Sequence, residues 1–471
     1  MCSVEKKKNA GLREWVIGDR KFYGRVAKVA VPMIIQNTLS NVVSLLDNIM
    51  VGQVGTIPMS AVAIVNQMIF VFYVCIWGST AGAGIFGAQF FGRKDYEGVR
   101  VTLRFKLIIG FLLAAAAGAL FMLFGQDLIG LFISAGTPAA ERAETLEYAG
   151  QYLGIMILGL FPFSISQCYS GTLRETGKTM LPMKAGMAAM VINFIFNSLL
   201  IFGLFGFPKL GVKGAAIATV ISRVAELVII VYGAHRNEKR YPFLKGLIRH
   251  FRIPKELAFR IAGKTFPLLM NEFLWSFGQA ALLQCYSFRG ISVVAALNIA
   301  GTVAQIFNEI FLSLGNATGI LVGQELGADR MDDAKHTAWR MMAFSVVCCI
   351  FLGMVLYSFA PLIPQIYNTT PEIRLMAADC IRVLSLCMPI FGLANASYFT
   401  VRSGGRVLIT FLFDSCFSWA CSIPAAYFLT HRTQIAMVTV YLMVNLLELI
   451  KDAIGVTLVK KGVWIRNIVK K

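Results

Sequence analysis

Several carboxylates stand inside long apolar runs, where a bilayer would reject them. Glu272 lies near the start of residues 266–290, FPLLMNEFLWSFGQAALLQCYSFRG. A spanning helix needs roughly 20 mostly apolar residues, and this stretch supplies them. An acid at a helix centre costs on the order of 2.5–3.5 kcal/mol on insertion scales, which makes an intramembrane acid a functional candidate. The alternative is a shallow position, where Glu272 snorkels or caps. Asp47 belongs to a second pattern, in which Asn37, Ser40, Asn41, Ser44, Asp47 and Asn48 follow at helical steps and share one face. That face must turn to protein or to a watery cavity, since unsatisfied polar groups in hydrocarbon cost several kcal/mol. Interhelical hydrogen bonding accounts for the amides and hydroxyls. It accounts less well for the acid, so Asp47 is read as a cation or proton site, with an interfacial acid as the alternative.

Further candidates follow the same logic. Asn298, Thr302, Gln305, Asn308, Glu309 and Asn316 form a stripe in a later segment, and Glu309 is either functional or structurally paired. Asn193 and Asn197 stand one helical turn apart and could ligand a cation through their carbonyl oxygens or serve as packing glue. Asp414 has no basic neighbour at helical spacing. Arg223 with Glu226, and Asp379 with Arg382, are spaced i, i+3 and read as neutralised structural pairs, as do Glu226 and Glu448 as structural acids. Aromatic residues Phe273, Trp275, Phe277 and Tyr286 near Glu272, with Phe70, Phe72 and Tyr73, could form a cavity whose ring faces accept an organic cation.

The elements that position these residues follow from composition. Of 471 residues 57% are hydrophobic and 15% charged, which describes a polytopic membrane protein and not a soluble domain. The net charge of +19 is not arranged as a nucleic-acid motif. Apolar segments at 26–50, 58–86, 103–125, 147–170, 183–206, 213–235, 262–288, 292–320, 338–362, 376–401, 406–430 and 434–459 predict twelve spanning helices in an all-α fold. Roughly 35 of the 44 Lys and Arg residues fall on one side of such a topology, which places both termini in the cytoplasm. The first residues (Lys6, Lys7, Lys8, Arg13, Arg20, Lys21) are basic, without the pattern of a removable signal peptide. The ten cysteines read as small hydrophobes, and the four histidines (His235, His250, His336, His431) fall in predicted loops, without metal-ligand spacing.

A shift of 235 lays Pro32 on Pro267, Gly55 on Gly290, Ala61 on Ala296, Gly84 on Gly319, Gln89 on Gln324, Gly92 on Gly327 and Thr102 on Thr337 without a gap. This is an internal duplication. With six spans per half, the two bundles are related by a pseudo-twofold axis along the membrane normal. The predicted organisation is a basic segment 1–25, an N-terminal lobe 26–235, an interfacial amphipathic linker 236–261, a C-terminal lobe 262–460 and a basic tail 461–471. One decoy is set aside: GTLRETGKT at 171–179 has five residues between Gly171 and Gly177 where a phosphate-binding loop requires four, and it joins two spans.

VPMIIQNTLSNVVSLLDNIMVGQVG, GAQFFGRKD, LRETGKTMLPM, GFPKLGVKGAAIATVISR, FPLLMNEFLW and VRSGG together resemble the MATE family of multidrug and toxin extrusion transporters, of the bacterial NorM and DinF-like kind. The resemblance covers essentially the whole chain. It implies two six-helix lobes that export organic cations in exchange for sodium ions or protons. It further implies that Asp47 is the coupling acid of the first lobe, that Glu272 is the seventh-helix acid that helps hold sodium in sodium-coupled relatives, and that Asn193 lines the first cavity. In the tenth helix, where NorM-type relatives carry an aspartate, this chain offers only Asn395, so Asp414 is a substitute candidate.

The reading is therefore an antiporter of the inner (plasma) membrane, monomeric, surrounded by lipid and acting on small organic cations. It is not an enzyme, needs no cofactor, and has H+ or Na+ as coupling ion. A lipid-linked oligosaccharide flippase is the alternative, disfavoured because only Arg223 and Arg382 are expected well inside the spans.

Overall fold

The computed structural model describes residues 15–133, 137–247, 249 and 252–470. Lys6, Lys7, Lys8, Arg13 and His250 lie outside the described residues. Within them the long elements are helices: α1 (Arg20–Gly52), α2 (Thr56–Gly92), α3 (Tyr96–Phe132), α4 (Ala139–Glu175), α5 (Met180–Phe202), α6 (Val212–His235), α7 (Lys255–Ser287), α8 (Ile291–Gly327), α9 (Met331–Phe359), α10 (Pro371–Ser403), α11 (Val407–Arg432) and α12, in two pieces, Met437–Leu446 and Glu448–Lys461. Ten of them are long and apolar enough to cross a membrane, α7 and α12 being the other two. Helices are what such a sequence must form in lipid, where each backbone N–H and C=O needs a partner within its own segment. The histidines fall differently from expectation: His235 closes α6, His336 lies in α9 and His431 in α11.

The duplication extends to the backbone. The shift of 235 carries the bounds of α1 onto those of α7, and the bounds of α2 onto those of α8. Each of α1 and α7 has a proline inside it, Pro32 and Pro267. Lys94 and Asp329, equivalent positions in the turns that follow α2 and α8, both adopt a left-handed conformation, with φ of 63° and 62°. The ends of α2 and α8 meet reciprocally. A Cβ on Gly92 would stand 1.9 Å from the carbonyl oxygen of Gln324, and one on Gly327 would stand 1.9 Å from that of Gln89.

Contacts divide the chain into two compact units. One holds the chain up to Ile34, Ala88–Lys94 and the chain from Met270 onward; the other holds Ile35–Gly87 and Asp95–Leu269. The sequence places the division in the linker, whereas contacts divide α1 just after Pro32 and α7 just after Pro267. The core of the Asp95–Leu269 unit includes Ile69, Phe72, Leu160 and Phe163, all buried. That of the other is built around Leu384, Met388, Val440 and Val444.

Two segments expected at the surface are packed. In the linker Tyr241, Phe243, Leu244 and Leu247 are buried. Arg100 Nε donates to the Phe243 carbonyl at 3.2 Å, and Arg104 donates to those of Leu247, Gly246 and Arg252. The linker is thus pinned to α3 by side chains that sequence patterning left unassigned. Past α12, left-handed Gly462 turns the chain so that Trp464 is wholly buried. Gln89 Nε2 then donates to the carbonyls of Ser403 (2.9 Å) and Arg466 (3.1 Å), its Oε1 accepts from the Ile468 amide at 2.8 Å, and Arg93 donates to the Val469 carbonyl. The final segment is a strap within its unit and not a free tail. Lys470 closes it on Asp329 at 2.8 Å, and this hydrogen bond holds the Asp329 carboxyl below its usual range.

Candidate functional sites

The unit that contains most of α2 to α6 gathers polar side chains from five helices. Asp47 lies late in α1, and its Oδ1 accepts a hydrogen bond from Asn197 Nδ2 on α5 at 2.6 Å. The same Nδ2 donates to Asn193 Oδ1 at 3.1 Å. Asn193 Nδ2 donates to Thr219 Oγ1 on α6 at 3.4 Å, and the Thr219 hydroxyl donates to the Ala215 carbonyl at 2.9 Å. Asn193 and Asn197 are buried, and Asn197 Oδ1 is a buried acceptor with no hydrogen-bond partner. Amide, amide and hydroxyl therefore form one chain that ends on the carboxylate. An acid in an apolar bundle is tolerable when such donors replace water.

Beside this chain stands an aromatic wall. Tyr73 on α2 and Phe163 on α4 lie with ring centroids 4.1 Å apart. The Arg223 guanidinium carbon sits 5.0 Å from the Phe163 centroid and 6.0 Å from that of Tyr73, within cation–π range. Arg223 also pairs with Glu226 at 3.4 Å, as the i, i+3 spacing predicts. Tyr152 on α4 donates to Asn66 on α2 at 3.4 Å. These rings already hold one cation of the protein itself.

The other unit has a denser ionic cluster. Asp414 lies in a π-helical turn, Leu412–Cys416, followed by a second at Ser418–Ser422. Such turns widen a helix locally and recur at functional sites. Asp414 Oδ2 accepts from Asn271 Nδ2 on α7 at 3.1 Å, which also reaches the Tyr398 hydroxyl on α10 at 3.3 Å. Ser415 donates to both the carbonyl and the side-chain oxygen of Asn271, and Trp419 Nε1 donates to the Leu274 carbonyl at 2.9 Å. Asp414 Oδ1 is held at 2.8 Å by Lys451 Nζ on α12, which also pairs with Glu448 at 2.9 Å. The basic neighbour that Asp414 lacks on its own helix comes from another.

Glu272 lies at the middle of α7, five residues past Pro267. It is half-buried, and the charges nearest in effect are Arg402 and Asp414. Phe273 is half-buried beside it and Trp275 is exposed, while Tyr73 belongs to the unit of Asp47. Asn395 donates to the Phe391 carbonyl of its own helix at 3.0 Å. Glu309 stands half-buried on α8, which supplies none of the residues named in either cluster. Among the described residues no group of three or more His, Cys, Asp or Glu side chains is placed to hold a metal ion.

Sequence reasoning missed Asn271, Tyr398, Arg402, Lys451, Tyr152 and Thr219. Lys451 carried a readable signal, three residues after Glu448 inside an expected span. The count of buried basic residues is corrected too: Arg104, Lys106, Arg402 and Lys451 are buried, whereas Arg382 and Asp379 form a half-exposed pair at 2.8 Å. In repeat terms the acids are not equivalent. The shift of 235 places Asp47 on Leu282 and Glu272 on Asn37.

A model of the MatE family matches the chain twice, over residues 32–199 and 267–428, starting at the two repeat-related prolines. The chain is similar to a probable multidrug resistance protein, YoeA, of Bacillus subtilis (strain 168), with 26% identity over 87% of this chain and 88% of that protein. A probable multidrug resistance protein NorM of Thermotoga maritima is 23% identical over 87% and 86%. Among solved structures, a MATE protein crystallised in complex with MaL6 superimposes with a TM-score of 0.84 at 18% identity, covering 97% of this chain and 98% of that one. An outward-facing multidrug resistance MATE transporter of the MOP superfamily gives 0.83 over 96% and 98%.

Proposed function

This chain belongs to the MatE family, and from that premise we propose that it is a secondary active antiporter which exports small organic cations in exchange for H+ or Na+ by alternating access. It sits as a monomer in the inner (plasma) membrane with both termini cytoplasmic, and transports without enzymatic chemistry or a cofactor. Its relatives' names speak of multidrug resistance, and the same class of substrate is proposed for it.

The observation that carries the reading is Asp47 at the end of the amide chain. Deprotonated, Asp47 accepts from Asn197, and its charge is available to an organic cation. Protonated, its O–H also needs an acceptor. Asn197 has a buried oxygen without a partner, so rotation of that amide, passed on to Asn193 so that the Asn193 Nδ2 turns to Asn197, would give the protonated form its acceptor. The chain thus accommodates both states of the acid. A ligand shifts a conformational equilibrium only through its differential affinity for the two states, so drug and coupling ion exchange when they compete for this carboxylate.

The test is efflux of a fluorescent cation from cells that carry Asp47→Asn or Glu272→Gln. Both substitutions keep side-chain volume, so expression should be unchanged. Coupled efflux should fall at least tenfold for Asp47→Asn. Full efflux in both variants would refute the reading.

A further inference from the structure

Lys451 is buried, and its surroundings are unusual for a structural lysine. Its ammonium lies 2.8 Å from Asp414 Oδ1 and 2.9 Å from Glu448 Oε2, and 5.8 Å from the centroid of the Phe413 ring. Carboxylate oxygens on two helices, with a ring face completing the pocket, are also the surroundings of a bound monovalent cation, since hard cations take oxygen ligands and ring faces attract positive charge. The Asp414 carboxylate is brought to this point by the π-helical turn. Asp452, next in the chain and also buried, has an Oδ1 without a hydrogen-bond partner. Asp452 therefore adds a buried acidic oxygen that no hydrogen bond consumes.

We propose that the Lys451 ammonium is a tethered cation, which fills between Asp414 and Glu448 the place a free sodium ion would take, and so makes this unit of the antiporter insensitive to sodium. Lys451 is a specificity-determining residue: it selects against an alkali cation by occupying its ligands. Mass action favours the tether, because a side chain held at the site needs no free concentration to compete. For coupling, this leaves Asp47 and Glu272 as acids not committed to a lysine. That consequence rests on the antiporter reading; the occupancy of the cluster does not.

The test is the thermal unfolding midpoint of the purified protein in sodium chloride and in potassium chloride at equal ionic strength. The wild-type midpoint should be the same in both salts. Lys451→Gln and Lys451→Met should each acquire sodium-specific stabilisation, an upward shift of about 2 °C or more. Lys451→Met/Asp414→Asn, in which the pair is removed together, should lose it. If the single variants can be recovered only when purified in sodium, the conclusion is the same. A sodium-dependent wild type whose response disappears in Asp414→Asn would overturn the proposal. So would folded Lys451 variants blind to sodium, or variants that cannot be recovered in either salt, since the ammonium would then not be replaceable by a free ion. No arm requires transport, so a failure of the antiporter reading would appear in efflux and leave this result standing.

Discussion

At the scale of single residues, buried charge decides most of what can be predicted. Lys106 Nζ on α3 lies 2.5 and 2.6 Å from the two oxygens of Glu175 on α4, with a further hydrogen bond to Thr172 at 3.1 Å. Removing one partner of a buried pair leaves the other uncompensated, at a cost of about 3–5 kcal/mol. Lys106→Met should therefore lower the melting temperature sharply, and Lys106→Met/Glu175→Gln should regain most of the loss, as read by thermal unfolding in detergent. An additive double variant would show that the two charges do not depend on each other. Asp47, Asn193 and Asn197 were legible because polar groups at helical spacing stand out against an apolar background. The pairing of Asp414 with Lys451 was not. Spacing along one helix says nothing about a partner 37 residues away on another.

At the scale of elements, the repeat was the most legible feature. One constant shift was visible in scattered prolines and glycines, and it governs the bounds of four helices. The glycines at 92 and 327 have the clearest physical reason, since each admits the other helix's backbone to within van der Waals contact. Gly92→Ala and Gly327→Ala should each destabilise the protein strongly. By contrast Gly150→Ala on α4, where a Cβ would meet nothing within 4 Å, should raise stability by about 0.5–1 kcal/mol through helix propensity alone. Equal melting temperatures for the first two and the wild type would contradict the close crossing. Less of α11 was legible, because π-helical turns carry no period that distinguishes them from an ordinary span. The packed linker was read as an interfacial amphipathic segment and the C-terminal strap as a basic tail. Their lysines and arginines dominate the local composition, while the anchoring bonds come from Arg100, Arg104 and Gln89 elsewhere in the chain.

At the scale of the molecule, a duplicated helical fold carries chemistry that the duplication does not copy. Asp47 falls about 22 Å along α1 beyond its proline and Glu272 only about 7 Å along α7 beyond its own, at 1.5 Å per residue. One unit ends its polar chain on an acid held by a neutral amide, and the other on acids already paired with lysine. The fold class was evident from hydropathy alone, and the twofold match of the family model begins at the two prolines the repeat had aligned. The difference between the two polar clusters was hidden, because it depends on which side chains face one another.

The most direct measurement of antiport through Asp47 is ethidium transport in proteoliposomes, with a pH gradient and a sodium gradient imposed separately, for wild type and Asp47→Asn. Wild type should transport ethidium on at least one of the two gradients, and Asp47→Asn should lose that component. Gradient-driven transport that survives undiminished in Asp47→Asn would contradict antiport through this acid.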